Sequence, residues 1–153
     1  MCYALHVFTA MSQDISPRAI GVRWFEEVWN ARNTGAIREM MSPMAKAHLE
    51  GGMDICGPEA FMDFFQAFLL ALPDLRLDLL KTVSDGEDVF VHWKARGTHA
   101  GAAFGFEPSG RGIEFSGITR MRVVDGRIIE GWDCWNQEGL FAVLAGRPRA
   151  ASC

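Results

Sequence analysis

Long apolar runs are missing from this 153-residue chain. The longest, Ala67-Phe68-Leu69-Leu70-Ala71-Leu72, falls far short of the roughly 20 residues needed to span a bilayer, so no membrane partner is expected. A basic excess is missing too: the net charge is −4 with both signs interspersed, leaving no stripe to neutralise phosphates and arguing against nucleic acid as a partner. The four cysteines, Cys2, Cys56, Cys134 and Cys153, form no C-x-x-C pair and no zinc-ligand spacing, so reduced thiols in a cytoplasmic protein are the expected state. His6, His48, His92 and His99 are too scattered for a metal motif, and no metal site is expected. Neither G-x-G-x-x-G nor G-x-x-x-x-G-K occurs, which leaves a nucleotide cofactor unindicated; no cofactor is expected. No serine sits in a nucleophile elbow, and Cys134, between Trp132 and Trp135 with no base nearby in sequence, reads as an inert buried thiol. The opening ten residues lack the basic region of a signal peptide, and Met11 offers an alternative start.

What is present is a chain 49% apolar, long enough for one core with one small-molecule pocket. It is read as a frayed segment over 1–15, a single domain over 16–147 and a tail over 148–153, with no internal repeat or linker. Ser16-Pro17 is a helix start, and Ile20, Trp24, Phe25, Val28 and Trp29 make a wide apolar face through about Arg32. A short helix from Ala36 to Met41 ends before Ser42-Pro43. Met44 to Cys56 shows no clear period and carries Gly51-Gly52, so it reads as a loop with at most one short strand. Gly57-Pro58 opens a third helix with Phe61, Phe64, Phe65, Phe68 and Leu72 at helical spacing, closed by Leu72-Pro73-Asp74.

After Asp74 the period switches from 3.6 to 2, and about four antiparallel strands follow. The last two meet at Asp125-Gly126, a strong hairpin signal. Asn136 caps a final short helix from Gln137 to Leu144. The plan is α+β: a curved, mostly antiparallel sheet covered by three N-terminal helices, with a short C-terminal helix.

The last strand places one carboxylate, Asp133, among large apolar residues. Glu130 beside Arg120 and Arg127 looks like a solvent-side set, which turns Asp133 inward unless a bulge near Gly131 reverses the phase. A buried ionised carboxylate is costly, so Asp133 is either an employed acid/base or a strand-end residue helping to cap the helix at Asn136.

Several pieces resemble the SnoaL-like polyketide cyclase (ester cyclase) group of the nuclear-transport-factor-2-like superfamily. They are Gly57-Pro58-Glu59-Ala60-Phe61, Leu72-Pro73-Asp74-Leu75-Arg76, Gly97-Thr98-His99-Ala100-Gly101, Pro108-Ser109-Gly110-Arg111, and Asp125 through Asp133, in that order over residues 16 to 145. The resemblance implies a cone-shaped α+β fold with a deep pocket between sheet and helices, assembled as a homodimer through the sheet. It also implies that the strand aspartate serves as acid/base in an intramolecular aldol closure, and Asp133 is the residue that fits. The family carries a polar or histidine partner on the preceding strand; here the facing positions are Gly117 and Thr119, with no histidine.

The expected catalytic pair is therefore Asp133 with His99, whose imidazole could reach a pocket mouth or could simply bond local backbone. Substrate contacts are expected from Trp24, Trp29, Phe61 and Phe65 on the helices, from Phe115, Thr119 and Trp135 on the strands, and from Phe104 in a glycine-rich loop that could act as a flap. His48 is expected on the opposite wall. For each helical aromatic taken singly, ordinary core is the commoner role, since helical aromatic stripes mostly just pack. The expected partner is a small hydrophobic carbonyl compound of polyketide-ester type, acted on by a cyclase or isomerase without cofactor. The rival reading is a non-catalytic small-ligand-binding or dimerising module of the same fold.

Overall fold

The computed structural model describes residues 12–102 and 104–147, so the expectations placed on residues 1–11 and 148–153 lie outside the described residues. Helix α1, Pro17–Arg23, begins where Ser16 Oγ accepts the Ala19 N–H at 3.3 Å and proline occupies the first turn. The helix then widens: Trp24–Asn30 is π-helical, and Ala31 N–H reaches back five residues to the Glu26 carbonyl. Widening shifts the faces, so that Trp24, Phe25 and Val28 are all buried. Asn30, at its end, exchanges two hydrogen bonds with the backbone of Leu77, at 2.8 and 2.9 Å. Helix α2, Thr34–Met40, is capped by Asn33, and α3, Gly57–Ala71, buries the Phe61, Phe65 and Phe68 stripe that its spacing foretells.

Six strands form one sheet: β1 (Met41–Leu49), β2 (Met53–Cys56), β3 (Arg76–Asp85), β4 (Asp88–Thr98), β5 (Gly112–Val124) and β6 (Arg127–Trp135), in the order β2-β1-β6-β5-β4-β3. The region expected to be a loop is thus a hairpin, turned at Gly51 and Gly52, whose φ values of 86° and 82° suit glycine. Strand β1 lies parallel to β6 and all other neighbours are antiparallel, which makes the sheet mixed. The sequence pattern is blurred there because register slips between Met41 and Lys46, at the Ser42-Pro43 step.

At Asp125-Gly126 both φ values are positive, 49° and 73°, the geometry a two-residue hairpin requires. A second bulge follows, since Arg122 faces Glu130 whereas Val123 faces Ile128, leaving Ile129 unpaired. Ile128 therefore joins the inner face, and from Glu130 onward the alternation is regular, turning Gly131, Asp133 and Trp135 inward. The helices cover the inner face, and one apolar cluster runs from Ile20 and Val28 through Phe65 and Leu72 to Val91 and Met121. Helix α4, Gln137–Leu144, is capped by Asn136 Oδ1 on the Gly139 N–H at 2.8 Å.

Candidate active site

Between the inner face of the sheet and the π-helical turn and α3 lies a cavity of about 770 Å³, part of it open to solvent. Its wall is aromatic and aliphatic apart from a few polar side chains: besides the indole N–H groups of its tryptophans, Lys46, Thr119 and Asp133 supply the polarity. Alternation along β4, β5 and β6 delivers Trp93, Thr119 and Asp133 to the same side.

Thr119 and Asp133 face each other across the β5–β6 ladder, and the Thr119 hydroxyl donates to Asp133 Oδ1 at 2.6 Å. The same hydroxyl oxygen accepts the Trp93 indole N–H at 2.9 Å. Asp133 Oδ2 makes no hydrogen bond among the described residues. Desolvation by the apolar wall pushes the Asp133 carboxyl up to about 6, against the opposing bond from Thr119 and with a smaller push from the charge of Glu50. Glu50 follows β1, and its carboxylate accepts the Trp135 backbone N–H at 3.2 Å.

Trp24, Trp29, Phe61, Phe115 and Trp135 line the cavity with Thr119 and Asp133. The other expected site residues sit elsewhere. Phe65 is 1% exposed and packs behind Trp29, ring centroids 5.1 Å apart, as core. Phe104 stands behind Phe68 and against Phe141 rather than on the cavity wall. His48 lies outside the cavity lining: its ring bonds Asp54 and Glu130, each at 2.8 Å, and stacks on Trp132. The two carboxylates, Glu130 first, hold its pKa above the ordinary histidine value.

His99 is likewise absent from the cavity wall. It is fully buried, with Nδ1 3.0 Å from Ser109 Oγ and accepting the Ser109 N–H at 3.3 Å, and its Nε2 has no partner among the described residues. Its segment is tied down, since Ala100 and Gly101 both donate to the Ala71 carbonyl at the end of α3. Cys134 is exposed, not buried, because its strand position faces away from the cavity.

Trp93 was not among the expected site residues. Its signal was available in the alternation of Val89, Val91, Trp93 and Ala95 against His92, Lys94 and Arg96, but its bond to Thr119 joins strands 26 residues apart in sequence. Met41 also lines the cavity, whereas Met40 is core and Met44 is 84% exposed.

The fold is thus a curved mixed sheet over helices, around a pocket whose wall holds one desolvated carboxylate. Residues 19–144 match the family model of the SnoaL-like polyketide cyclases, and the chain belongs to that family. Among solved structures, it resembles a candidate SnoaL-like polyketide cyclase from Jannaschia sp. CCS1, at 21% identity and a TM-score of 0.81 over 90% of this chain and 96% of that one. It also resembles IdmH, a candidate polyketide cyclase from Streptomyces antibioticus, at 28% identity and 0.74 over 84% and 98%. AclR, a candidate hydroxylase from Streptomyces galilaeus, matches at 23% identity and 0.77 over 89% and 85%, a likeness of fold. Comparison with curated proteins returned no match.

Proposed function

We propose that this protein is an acid/base catalyst that closes a ring, or shifts a proton, on a flat hydrophobic carbonyl compound, with Asp133 as the proton-transferring group. The observation that carries this is a carboxylate desolvated to a pKa of about 6 in the wall of an aromatic cavity. A carboxylate so raised is basic enough to take a proton from a carbon flanked by carbonyls, and its acid is ready to return one near neutral pH.

In the aldol version, Asp133 removes the proton and the electron pair stays on the substrate as an enolate. The enolate carbon then bonds to a second carbonyl carbon of the same molecule, and the alkoxide formed takes the proton back from Asp133. Membership of the cyclase family supports this sequence over a non-catalytic module, as does the absence of any partner on Oδ2 among the described residues. The arrangement of the outer sheet face supports assembly as a homodimer, with exposed Phe90 and Ile118 at its centre.

The test is hydrogen–deuterium exchange at the acidic methylene of a naphthyl β-ketoester, followed by proton NMR in deuterated buffer. The protein should accelerate exchange, and Asp133→Asn, which keeps size and the Oδ1 acceptor, should remove the acceleration with circular dichroism unchanged. Equal rates in the two proteins would sink the role.

A further inference from the structure

The bond that Trp93 makes to Thr119 has no part in lining the cavity, yet it constrains the carboxylate. An indole N–H only donates, so Thr119 Oγ1 must accept at 2.9 Å, using one lone pair. The single hydroxyl hydrogen then points to Asp133 Oδ1, 2.6 Å away. Both Trp93 and Thr119 are buried, at 5% and 7% exposure, so water does not compete freely for these groups. The indole is itself held. Trp93, Gly117 and Trp135 lie opposite one another across three strands, and a side chain at Gly117 would put its Cβ 2.7 Å from the Trp93 ring and 2.5 Å from Trp135 Cβ.

We infer that Trp93 and Thr119 are positioning residues that assign the two oxygens of Asp133 to different tasks: Oδ1 is held by the Thr119 hydroxyl in every state, and Oδ2 alone takes and returns the substrate proton. The inference rests on the reading of Asp133 as the acid/base, and deepens it. When Asp133 is ionised, Oδ1 accepts from Thr119. When it is protonated on Oδ2, Oδ1 is the carbonyl oxygen and accepts the same bond, so the proton cycle needs no side-chain rearrangement. Without the indole, the hydroxyl could reverse and accept a proton from Oδ1, spreading the acid over two orientations of which one faces the sheet.

The relay can be read without any substrate, from the Trp93 indole proton and nitrogen resonances as a function of pH. The expected result is a Trp93 signal that titrates together with the Asp133 carboxyl carbon, near pH 6. Lys46 on the cavity wall and Glu50 beyond β1 are the other charged groups facing Asp133, and Asp133→Asn separates them, since it should flatten the Trp93 titration. Thr119→Val should uncouple Trp93 from pH and raise the carboxyl midpoint by about one pH unit, because a bond that favours the ionised form is lost. Thr119→Ser, which restores only the hydroxyl, should recover both.

In the naphthyl β-ketoester assay, Thr119→Val should lower kcat about tenfold or more with KM little changed, and Thr119→Ser should largely restore it. A Trp93 resonance that stays fixed while the Asp133 carbon titrates, or that still titrates in Thr119→Val, overturns the relay. Failure of the acid/base reading looks different: Asp133→Asn would keep its exchange activity whatever the resonances do.

Discussion

Asp133 carries its ionised form at a cost in stability. Its folded-state pKa, about 6, lies above the value of 3.8 for a free carboxyl, so the folded chain holds a proton that the unfolded chain has released. Stability should therefore fall as pH rises from about 4 to about 6, and stay lower above that range. Asp133→Asn removes the charge of this half-buried, desolvated group and keeps the acceptor for Thr119. Its thermal midpoint should exceed the parent's by a few degrees at pH 8, on the order of 1–2 kcal/mol, and approach it at pH 4. A variant less stable than the parent at pH 8 would mean that the carboxylate is well solvated in the cavity. In sequence Asp133 was open to two readings, acid/base or helix cap; the desolvation that raises its pKa is a property of the surrounding wall and is not written in the strand.

At the scale of elements, the parallel joint between β1 and β6 matters most, because it closes the sheet over the side where Asp133 stands. His48 of β1 clamps this joint by bonding Glu130 of β6 and Asp54 of β2. With its pKa raised by both carboxylates, its contribution is fully present below the ordinary value of 6.5 and fades as pH climbs through the raised one. His48→Gln should thus lower the thermal midpoint more at pH 6 than at pH 9, as scanning calorimetry would show; an equal loss at both would reduce His48 to a neutral packing residue. The helices and antiparallel strands could be read from periodicity, from Ser16 and Asn136 as caps, and from Asp125-Gly126 as a turn, whereas the cap that Asn33 gives to α2 was seen only in the structure. The β1–β2 hairpin could not, because a register slip breaks its alternation and its parallel partner lies some 80 residues away.

For the whole molecule, the sheet has two faces with different tasks. The inner one, with the helices, holds the buried apolar cluster and the cavity beside it, while the outer one carries Phe90 at 41% and Ile118 at 47% exposure around the Arg120 guanidinium, which lies 4.4 Å from the Trp132 ring centroid. A homodimer through this face should give twice the 17.0 kDa chain mass by light scattering, and Ile118→Arg should give the single mass with exchange activity at the separate inner cavity retained. A parent protein of single mass at the same concentration would rule the dimer out.

Taken alone, the chain determined its helices, its antiparallel strands from Arg76 onward, the α+β plan and an aspartate among apolar residues on the last strand, since these follow from local periodicity and local backbone chemistry. Tertiary structure decided that a bulge at Ile129 sets the phase of β6, that His99 is sealed beside Ser109 away from the cavity, and that Trp93 reaches Thr119. The reason is physical: burial, hydrogen-bond direction and the cost of a charge depend on which distant strands become neighbours, and only the folded sheet makes them so.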